Sequence, residues 1–599
     1  MLPPFQKAIA PVNDTHDDLL TQQATPEYLD EQARLLAGLG FSRVYLIPPL
    51  NAAMAPWRYG IRRDLEARTA ELLDRFGDQD PFRATVEAAH RHELEVFAVY
   101  KPYEGGAHRS VPENDPAASP HTSLPQLGGP GIVADPFLVQ HPELRVRRRA
   151  DAALDRLAAH PLTTIELVFC MDEVLQPGIM SSQPPVVFSG QPDTALQTNP
   201  VESVSIWTSS NNGTYDRLSG SSRVSERVER RTLFDTIGRE IPGGPRRCRV
   251  VRVSGLNCDG GVRYLAISLV ARDPAQFVTI PFTMIRAYNA DGENMPVTVS
   301  DAPRAANNPV SPESNRLCDR GFEFDPMGFY YREPGWRATS LFAIARGRND
   351  FMHGTPCEAY PEVREQWLRD ADYLIESGVD GVDVRAQNHS SSVVEYHEYG
   401  YNEPLVTAYR DRYGRDIQAE PAEPLKMMQI RGDFYLQFMA KLRSKLSARG
   451  KKLQVHLHGN YEDPRLCGDF NEVAFWAMPK ILPDWKRLVD LADEITIKDY
   501  YFGSYSPQNA ASIKARAADA GKPVWIHCYQ QQGDDLNRDF CAAAQADPTV
   551  SGLLLYEITG RGSEHGSAGD GLVRIAGDGT AELIPGAVDA LRRLTRYGK

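Results

Sequence analysis

The feature that most constrains the fold is an alternation of strand-like and helix-like segments at both ends of the chain. β-rich runs such as SRVYLIP and EVFAVYK follow or precede amphipathic helical patterns. One of these patterns, TPEYLDEQARLLAGLG, has a threonine cap, a proline at the first helical position and a closing glycine. Strands that alternate with helices in this way are typical of a parallel sheet built from βα units.

The sequence contains eight strand-like segments, and this number predicts that the sheet closes into a barrel. They are SRVYLIP, EVFAVYK, LFAIARG, DGVDVRA, KLQVHLHGN, DEITIKDYYF, KPVWIHCYQ and SGLLLYEITG. A count of eight is the number that closes a (β/α)₈ TIM barrel. No strand is followed by the GxGxxG loop of doubly wound nucleotide-binding folds, so we predict an α/β barrel.

The middle of the chain has a different sequence pattern. Between residues 161 and 320 short β-rich runs separated by glycine, proline, asparagine and serine replace the helical periodicity. This pattern predicts an antiparallel β-sandwich inserted between the second and third βα units. The expected domains are therefore 1–160 as the first part of the barrel, 161–320 as the sandwich and 321–599 as the remainder of the barrel.

Charge and hydropathy limit the partners. The 599 residues carry a net charge of −13, which disfavours a nucleic-acid surface because such surfaces need clustered lysine and arginine. No apolar run reaches the roughly 20 residues that span a bilayer, so no membrane partner is expected. The start, MLPPFQKAIAPVND, lacks the apolar core of a signal peptide. We therefore expect a cytoplasmic protein, or a periplasmic or secreted one if the chain is trimmed. The sequence is also compatible with a homo-oligomer.

The cysteines show no metal-binding spacing. The eight of them are scattered without a CxxC pair, which predicts independent buried thiols. We expect no metal or other cofactor. Cys248 and Cys258 flank a predicted hairpin and are the candidates for a disulfide in an exported protein.

Polar residues recur where the later strands end. Barrel chemistry lies at the carboxyl ends of the strands, and successive side chains of a strand alternate between the lumen and the helices. In GVDVRA the valines suit the helix side, which turns Asp383 and Arg385 inward. The same parity predicts a set of inward residues on the next three strands: His456, His458, Asn460, Thr496, Lys498, Tyr500, Trp525, His527 and Tyr529. Convergence of so many costly polar groups at one end predicts a functional site.

Carboxylates, aromatic rings and dense hydrogen-bonding groups suit a polyhydroxylated carbohydrate substrate. Glycosidic cleavage needs one carboxyl group as acid and another as base or nucleophile. The candidates for these roles are Asp383, Glu403, Asp499 and Glu557. The candidates for substrate binding are Arg385, His389, His456, His458, Asn460, Lys498, Tyr500, Trp525, His527 and Glu358.

Two motifs carry a resemblance to a known family. The helix AYPEVREQWL followed by the strand GVDGVDVR resembles bacterial barrels loosely grouped as family 10 glycosyl hydrolases, with matches at 361–364 and 379–381. The resemblance implies a (β/α)₈ carbohydrate-active enzyme and places Asp383 in the site region. The pair of adjacent carboxylates common at this strand end is replaced by Val384-Arg385. Asn402-Glu403-Pro404 is similar to a glycosidase motif but lies well beyond the strand, so the alternative role of Glu403 is in the first turn of a helix.

Two other functions remain open at the sequence level. His456-x-His458, with His527 and Asp383, suits a metal-dependent hydrolase on the same barrel. The third hypothesis is a non-catalytic glycan-binding protein. In it the sandwich contributes Trp207 and Tyr215 to glycan binding.

Overall fold

The fold is seen in a computed structural model of the 599-residue chain. The residues that the structure describes are 7–14, 24–48, 74–107, 133–134, 136–150, 152, 159–172, 174–176, 186–188, 201–210, 216–220, 222–233, 240, 242–259, 261–262, 264–271, 283–295, 297–298, 340–346, 350–386, 398–419, 423–458, 461, 481–498, 505–508, 510–529, 535–556, 572–584 and 591.

Eight parallel strands close into a barrel, as the sequence predicts. They are β1 (Ala8–Asp14), β2 (Arg43–Ile47), β3 (Glu95–Tyr100), β4 (Gly381–Val384), β5 (Lys452–His458), β6 (Glu494–Lys498), β7 (Val524–Tyr529) and β8 (Gly552–Tyr556). Neighbours along the chain are neighbours in the barrel, and β8 pairs with β1 through five register partners from Ala8↔Gly552 to Val12↔Tyr556. Closure leaves no strand edge unpaired.

Helices pack around the barrel. The longer ones are α1 (Pro26–Gly38), α2 (Pro81–Arg91), α3 (Pro361–Glu376), α4 (Glu403–Tyr413), α5 (Pro424–Ala448), α6 (Trp485–Leu491), α7 (Ala511–Asp519) and α8 (Asp535–Ala546), and a short helix covers Pro136–Gln140. Their starts follow local chemistry: the Thr25 side chain accepts a hydrogen bond from the Tyr28 amide at 3.1 Å, and Asp80 caps α2 in the same way. One large apolar cluster joins these helices to the outer faces of the strands.

The long insertion contains two antiparallel sheets of five strands each. In spatial order the first is Asp216–Arg217, Val201–Ser209, Tyr264–Ala271, Ser340–Arg346 and Val297–Thr298. The second is Arg223–Arg231, Arg246–Cys258, Leu162–Cys170, Thr283–Tyr288 and Asn294–Met295. Ile206 and Leu265 of the first sheet and Ile165 and Val251 of the second belong to one buried apolar cluster.

Four short antiparallel pairs complete the sheet structure. They are Arg145–Arg147 with Phe351–Pro356, Gly106–Ala107 with Val133–Ala134, Val174–Gln176 with Val186–Phe188, and Val573–Ile575 with Ala581–Leu583. Within the described ranges no helix has the length and apolar character needed to cross a membrane.

The membership of the barrel differs from the sequence prediction in one strand. The first strand is Ala8–Asp14, whereas LFAIARG lies in an insertion sheet, antiparallel to Tyr264–Ala271. Pro11 removes a backbone donor from β1, and sequence reasoning counts such a proline against a central strand. A short apolar run such as LFAIARG suits a strand of either sheet type. The insertion therefore follows EVFAVYK, as predicted, but this segment is the third barrel strand rather than the second, and the insertion sheets extend beyond residue 320.

The amino end of the lumen is closed by a buried ion pair. Arg43, at the start of β2, donates from Nη1 and Nη2 to Glu494 at 2.6 and 3.0 Å. Its guanidinium lies over the rings of Phe97 and Trp525, at 4.1 and 4.7 Å from their centroids. Trp525 Nε1 donates to the same carboxylate at 2.8 Å. Gly381 makes this packing fit, because a Cβ there would lie 2.3 Å from the Phe97 ring.

We expect Glu494→Gln to lower the free energy of unfolding by about 3 kcal/mol, because removal of one partner leaves Arg43 buried without its main counter-charge. Urea unfolding monitored by tryptophan fluorescence measures the change. Arg34→Gln is the matched control, because the Arg34–Glu31 pair is exposed, with 55% of the arginine side chain accessible, and pairs of that kind contribute about 0–1 kcal/mol. Equal losses in the two variants would contradict a structural role for the buried pair.

Candidate functional site

Four neighbouring strands deliver titratable side chains to the carboxyl end of the lumen. Asp383 lies in β4 and Arg385 directly follows it, His456 and His458 come from β5, Lys498 ends β6, and His527 lies in β7. All six side chains are buried. The register aligns His458 with Lys498 and Lys498 with His527, so these residues are side by side around the barrel.

The apolar residues of the same strands explain the orientation. Those that alternate with the polar set belong to the cluster between barrel and helices: Val382, Val384, Val455, Leu457, Ile495, Ile497 and Ile526. Because side chains of a strand alternate between two faces, packing these outward turns the polar ones into the lumen. The predicted parity is confirmed for the side chains of these four strands that the structure describes.

Asp383 and Arg385 form an ion pair inside the barrel. Arg385 Nε donates to Asp383 Oδ2 at 2.8 Å, and the two side chains are 3% and 0% exposed. Burial raises the pKa of Asp383 above its ordinary value, and the positive charge of Arg385 only partly opposes this. The carboxyl group therefore keeps a proton to higher pH than a surface aspartate, as a general acid must.

The three histidines lie against one another. The rings of His456 and His458 are stacked with centroids 5.5 Å apart and planes 10° apart, and His456 and His527 are 6.0 Å apart. Burial lowers the pKa of His458 to about 3, and burial with the nearby charge of Arg385 holds the pKa of His456 well below its usual value. The pKa of His527 is lowered for the same reasons, with Lys498 the larger charge. These rings are neutral at neutral pH, so each offers one donor and one acceptor.

Lys498 adds a primary amine whose charged form is disfavoured by burial. Burial lowers its pKa well below the usual value, and the positive charges of Arg385 and Lys101 lower it further. Sequence reasoning did not select Lys101, although it follows β3 with the same inward parity as Phe97 and Val99. Lys101 also forms an ion pair with Glu104 at 3.1 Å.

The polar atoms at this end are not all paired within the described part of the chain. There, Asp383 Oδ1, Arg385 Nη2 and both ring nitrogens of His456 have no hydrogen-bond partner. At the amino end of the same lumen, by contrast, Arg43 and Glu494 are joined by two hydrogen bonds and each bonds to a further neighbour. Buried polar groups in folded proteins are nearly always hydrogen-bonded. Among the described residues, the unpaired atoms therefore distinguish the layer at the carboxyl end of the lumen from the paired layer at the amino end.

Two of the residues expected to bind substrate make hydrogen bonds outside the cluster instead. Trp525 lies at the amino end of the lumen, hydrogen-bonded to Glu494, because it precedes His527 by one inward step along β7. Glu358 is fully buried and accepts two hydrogen bonds from Arg431 of α5, at 2.6 and 3.0 Å. Neither is part of the cluster, which corrects the sequence expectation for both.

Asn402-Glu403-Pro404 forms the beginning of helix α4. Asn402 is buried, where its Oδ1 accepts from the Arg147 amide and its Nδ2 donates to the Arg145 carbonyl, each at 2.8 Å. Glu403 is the first residue of the helix and is exposed. This placement matches the alternative in which Glu403 favours the helix dipole. His389, Asn460, Asp499, Tyr500 and Glu557 lie outside the described residues.

The cluster does not fit a metal ion in the part of the chain that is described. No group of three or more His, Cys, Asp or Glu side chains there is arranged to hold one. The stacking of His456 on His458 gives a reason, because nitrogen lone pairs lie in the ring planes and parallel planes do not converge on one point. The positive charge of Arg385 beside these rings also disfavours a divalent cation.

Comparisons with known proteins find only distant structural likeness. Neither protein-family profiles nor curated protein sequences give a match. Among solved structures, a β-galactosidase from the psychrophilic Marinomonas ef1 is similar with 15% identity over 42% of this chain and 45% of that one, TM-score 0.28. A β-galactosidase from Bacillus circulans sp. alkalophilus has 11% identity over 41% and 40%, TM-score 0.28. The glycoside hydrolase domain of PgaB (BpsB) from Bordetella bronchiseptica has 12% identity over 34% and 59%, TM-score 0.25.

Each of these alignments spans less than two thirds of the matched chain. Likeness at this level carries no argument about activity. The barrel is established by the strand pairing alone.

We expect the buried histidines to make the fold sensitive to acid. Their pKa values are lower in the folded than in the unfolded chain. The free energy of unfolding therefore has its full value above about pH 6.5 and falls as the pH drops, for His458 down to about pH 3. One such histidine contributes a slope of about 1.4 kcal/mol per pH unit. Urea unfolding between pH 7 and pH 4 should therefore give a shallower pH dependence for His458→Gln than for the wild type. Parallel curves would show that His458 is not held neutral.

Proposed function

We propose that this chain is a glycoside hydrolase that cleaves a glycosidic bond in an oligo- or polysaccharide at the carboxyl end of the barrel. One observation carries the proposal, namely the contrast between the two ends of the lumen. The amino end is closed by paired charges and aromatic rings, whereas polar atoms of Asp383, Arg385 and His456 at the carboxyl end lack partners within the described residues. A substrate rich in hydroxyl groups would supply both donors and acceptors to them.

Asp383 is the proposed general acid. Its raised pKa favours the protonated form, whose proton would pass to the glycosidic oxygen as the bond to the leaving sugar breaks. Arg385 would fix the carboxyl group through its bond to Oδ2, which leaves Oδ1 to face the substrate. As the proton leaves, the negative charge that forms on Asp383 is stabilised by the adjacent guanidinium.

The second carboxylate would come from Asp499 or Glu557. In the sequence these residues directly follow β6 and β8, two parallel strands whose carboxyl ends lie at the same end of the barrel as that of β4. One of them would attack the anomeric carbon or activate a water molecule for that attack. Glu403 is the remaining candidate, since α4 lies on the chain between β4 and β5.

The three histidines, Lys498 and Arg385 would bind hydroxyl groups. His456, His458 and His527 can each donate and accept one hydrogen bond, and Lys498 and Arg385 donate. We include His389, Asn460 and Tyr500 in the proposed binding set because they follow β4, β5 and β6 in the sequence. The insertion sheets, which share an apolar cluster, would form the inserted β-sandwich.

Asp383→Asn should lower kcat/KM on a cleaved glycan by at least about 100-fold, because the amide cannot protonate the leaving oxygen. Activity is measured as new reducing ends and as aryl release over a panel of aryl glycosides, oligosaccharides and polysaccharides. Asp380→Asn is the matched control: Asp380 precedes the same strand and bonds to His90 and to the Val96 amide, and this variant should cleave at a rate close to the wild type.

Asp499→Asn, Glu557→Gln and Glu403→Gln, assayed together, assign the second carboxylate to the one whose loss abolishes turnover. Full activity in Asp383→Asn, with folding verified by urea unfolding, would overturn the assignment of the acid. Absence of cleavage over the whole panel by the wild type, together with a hydrolytic activity lost on chelation, would favour a metal-dependent hydrolase instead.

A further inference from the structure

We propose that Cys170 and Cys248 form a disulfide that joins two adjacent interior strands of an insertion sheet when the chain folds under oxidising conditions. The two cysteines are direct register partners in the antiparallel ladder between Leu162–Cys170 and Arg246–Cys258. Opposed residues in such a ladder have Cα atoms about 4.5 or 5.5 Å apart, depending on the hydrogen-bonding type of the pair. Both separations fall within the range of about 4.4–6.8 Å that a disulfide spans.

The side chains also meet on the same face of the sheet. Cys170 and Cys248 are 1% and 0% exposed and share a small apolar cluster with Val168, Leu233 and Val250. Both are free thiols in this structure. The hydrogen bond from the Cys248 thiol lowers the pKa of Cys170, and the same contact, together with burial, raises the pKa of Cys248. Cys170 is therefore the thiol that ionises first.

This pairing replaces the one expected from sequence. Cys248 and Cys258 lie ten positions apart on one strand, Arg246–Cys258, rather than across a hairpin. At about 3.3 Å per residue the strand separates them by roughly 30 Å, far beyond disulfide reach. Cys258 instead lies opposite Leu162.

The oxidant is a low-molecular-weight disulfide such as glutathione disulfide. The Cys170 thiolate attacks one of its sulfurs, forms a mixed disulfide and releases one thiolate. Cys248 then loses its proton, attacks the Cys170 sulfur and releases the second. Two protein thiols are thus oxidised by two electrons, one small disulfide is reduced to two thiols, and the protein protons end on those thiols. Because both cysteines are buried in interior strands, we expect the exchange during folding rather than in the closed sheet.

The test refolds the full-length reduced chain in a buffer of reduced and oxidised glutathione, then alkylates free thiols. Digestion with chymotrypsin without reduction can cut after Leu256, which places Cys248 and Cys258 on different peptides. We expect a cross-linked peptide that contains Cys170 and Cys248 and disappears on reduction. Alkylation of both residues, or linkage of either one to another cysteine, would overturn the proposal.

Cys258→Ser is the matched control, since Cys258 is equally buried on the same strand. It should keep the cross-link, whereas Cys248→Ser should lose it. The oxidised wild type and oxidised Cys258→Ser should both unfold at a higher urea concentration than their reduced forms, because the cross-link restricts the unfolded chain. If Cys248→Ser fails to fold, the thiol state and the urea shift of the wild type still decide the question. A wild type whose unfolding midpoint does not depend on oxidation would contradict the stabilising cross-link.

Discussion

Closure of the eight-stranded barrel forces every second side chain of eight strands into one narrow lumen. At the amino end that space is filled by Arg43, which bonds to Glu494 and lies over the rings of Phe97 and Trp525. A buried charge pair of this kind is tolerated only when its hydrogen bonds are made, and here they are. The amino end is therefore a rigid floor on which the strand ends above it are positioned.

The opposite end of the lumen follows different physical rules. There burial raises the pKa of Asp383 and lowers the pKa values of His456 and Lys498, so each shift favours the uncharged form of its group. Such shifts oppose stability and favour proton transfer and hydrogen bonding to a substrate. These shifts are concentrated on four adjacent strands, whereas the buried charges of the floor are paired by hydrogen bonds. This contrast is the physical basis of the proposed active site.

Much of this arrangement was predictable from strand alternation. The valines of GVDVRA identify Asp383 and Arg385 as inward residues, and the same reasoning finds His456, His458, Lys498 and His527. Alternation gives the face of a strand but not the depth along the lumen, and so Trp525 was grouped with residues from which it is separated by a layer. Nor does it report pairing between distant segments: the bond of Glu358 to Arg431 and the opposition of Cys170 to Cys248 depend on tertiary contacts. The strand at Ala8–Asp14 is hard to predict from sequence because Pro11 lacks a backbone donor and proline is uncommon in central strands.

The most direct measurement of the central claim is the stability and glycan cleavage of His456→Leu. If His456 is held in the lumen for a substrate, replacing an imidazole that has no hydrogen-bond partner among the described residues by an apolar side chain should raise the free energy of unfolding by about 1–3 kcal/mol. The same change should abolish or strongly reduce cleavage, the exchange of stability for function expected at an active site. A variant that is less stable than the wild type and still cleaves glycans at the wild-type rate would contradict the account, because His456 would then be a structural residue.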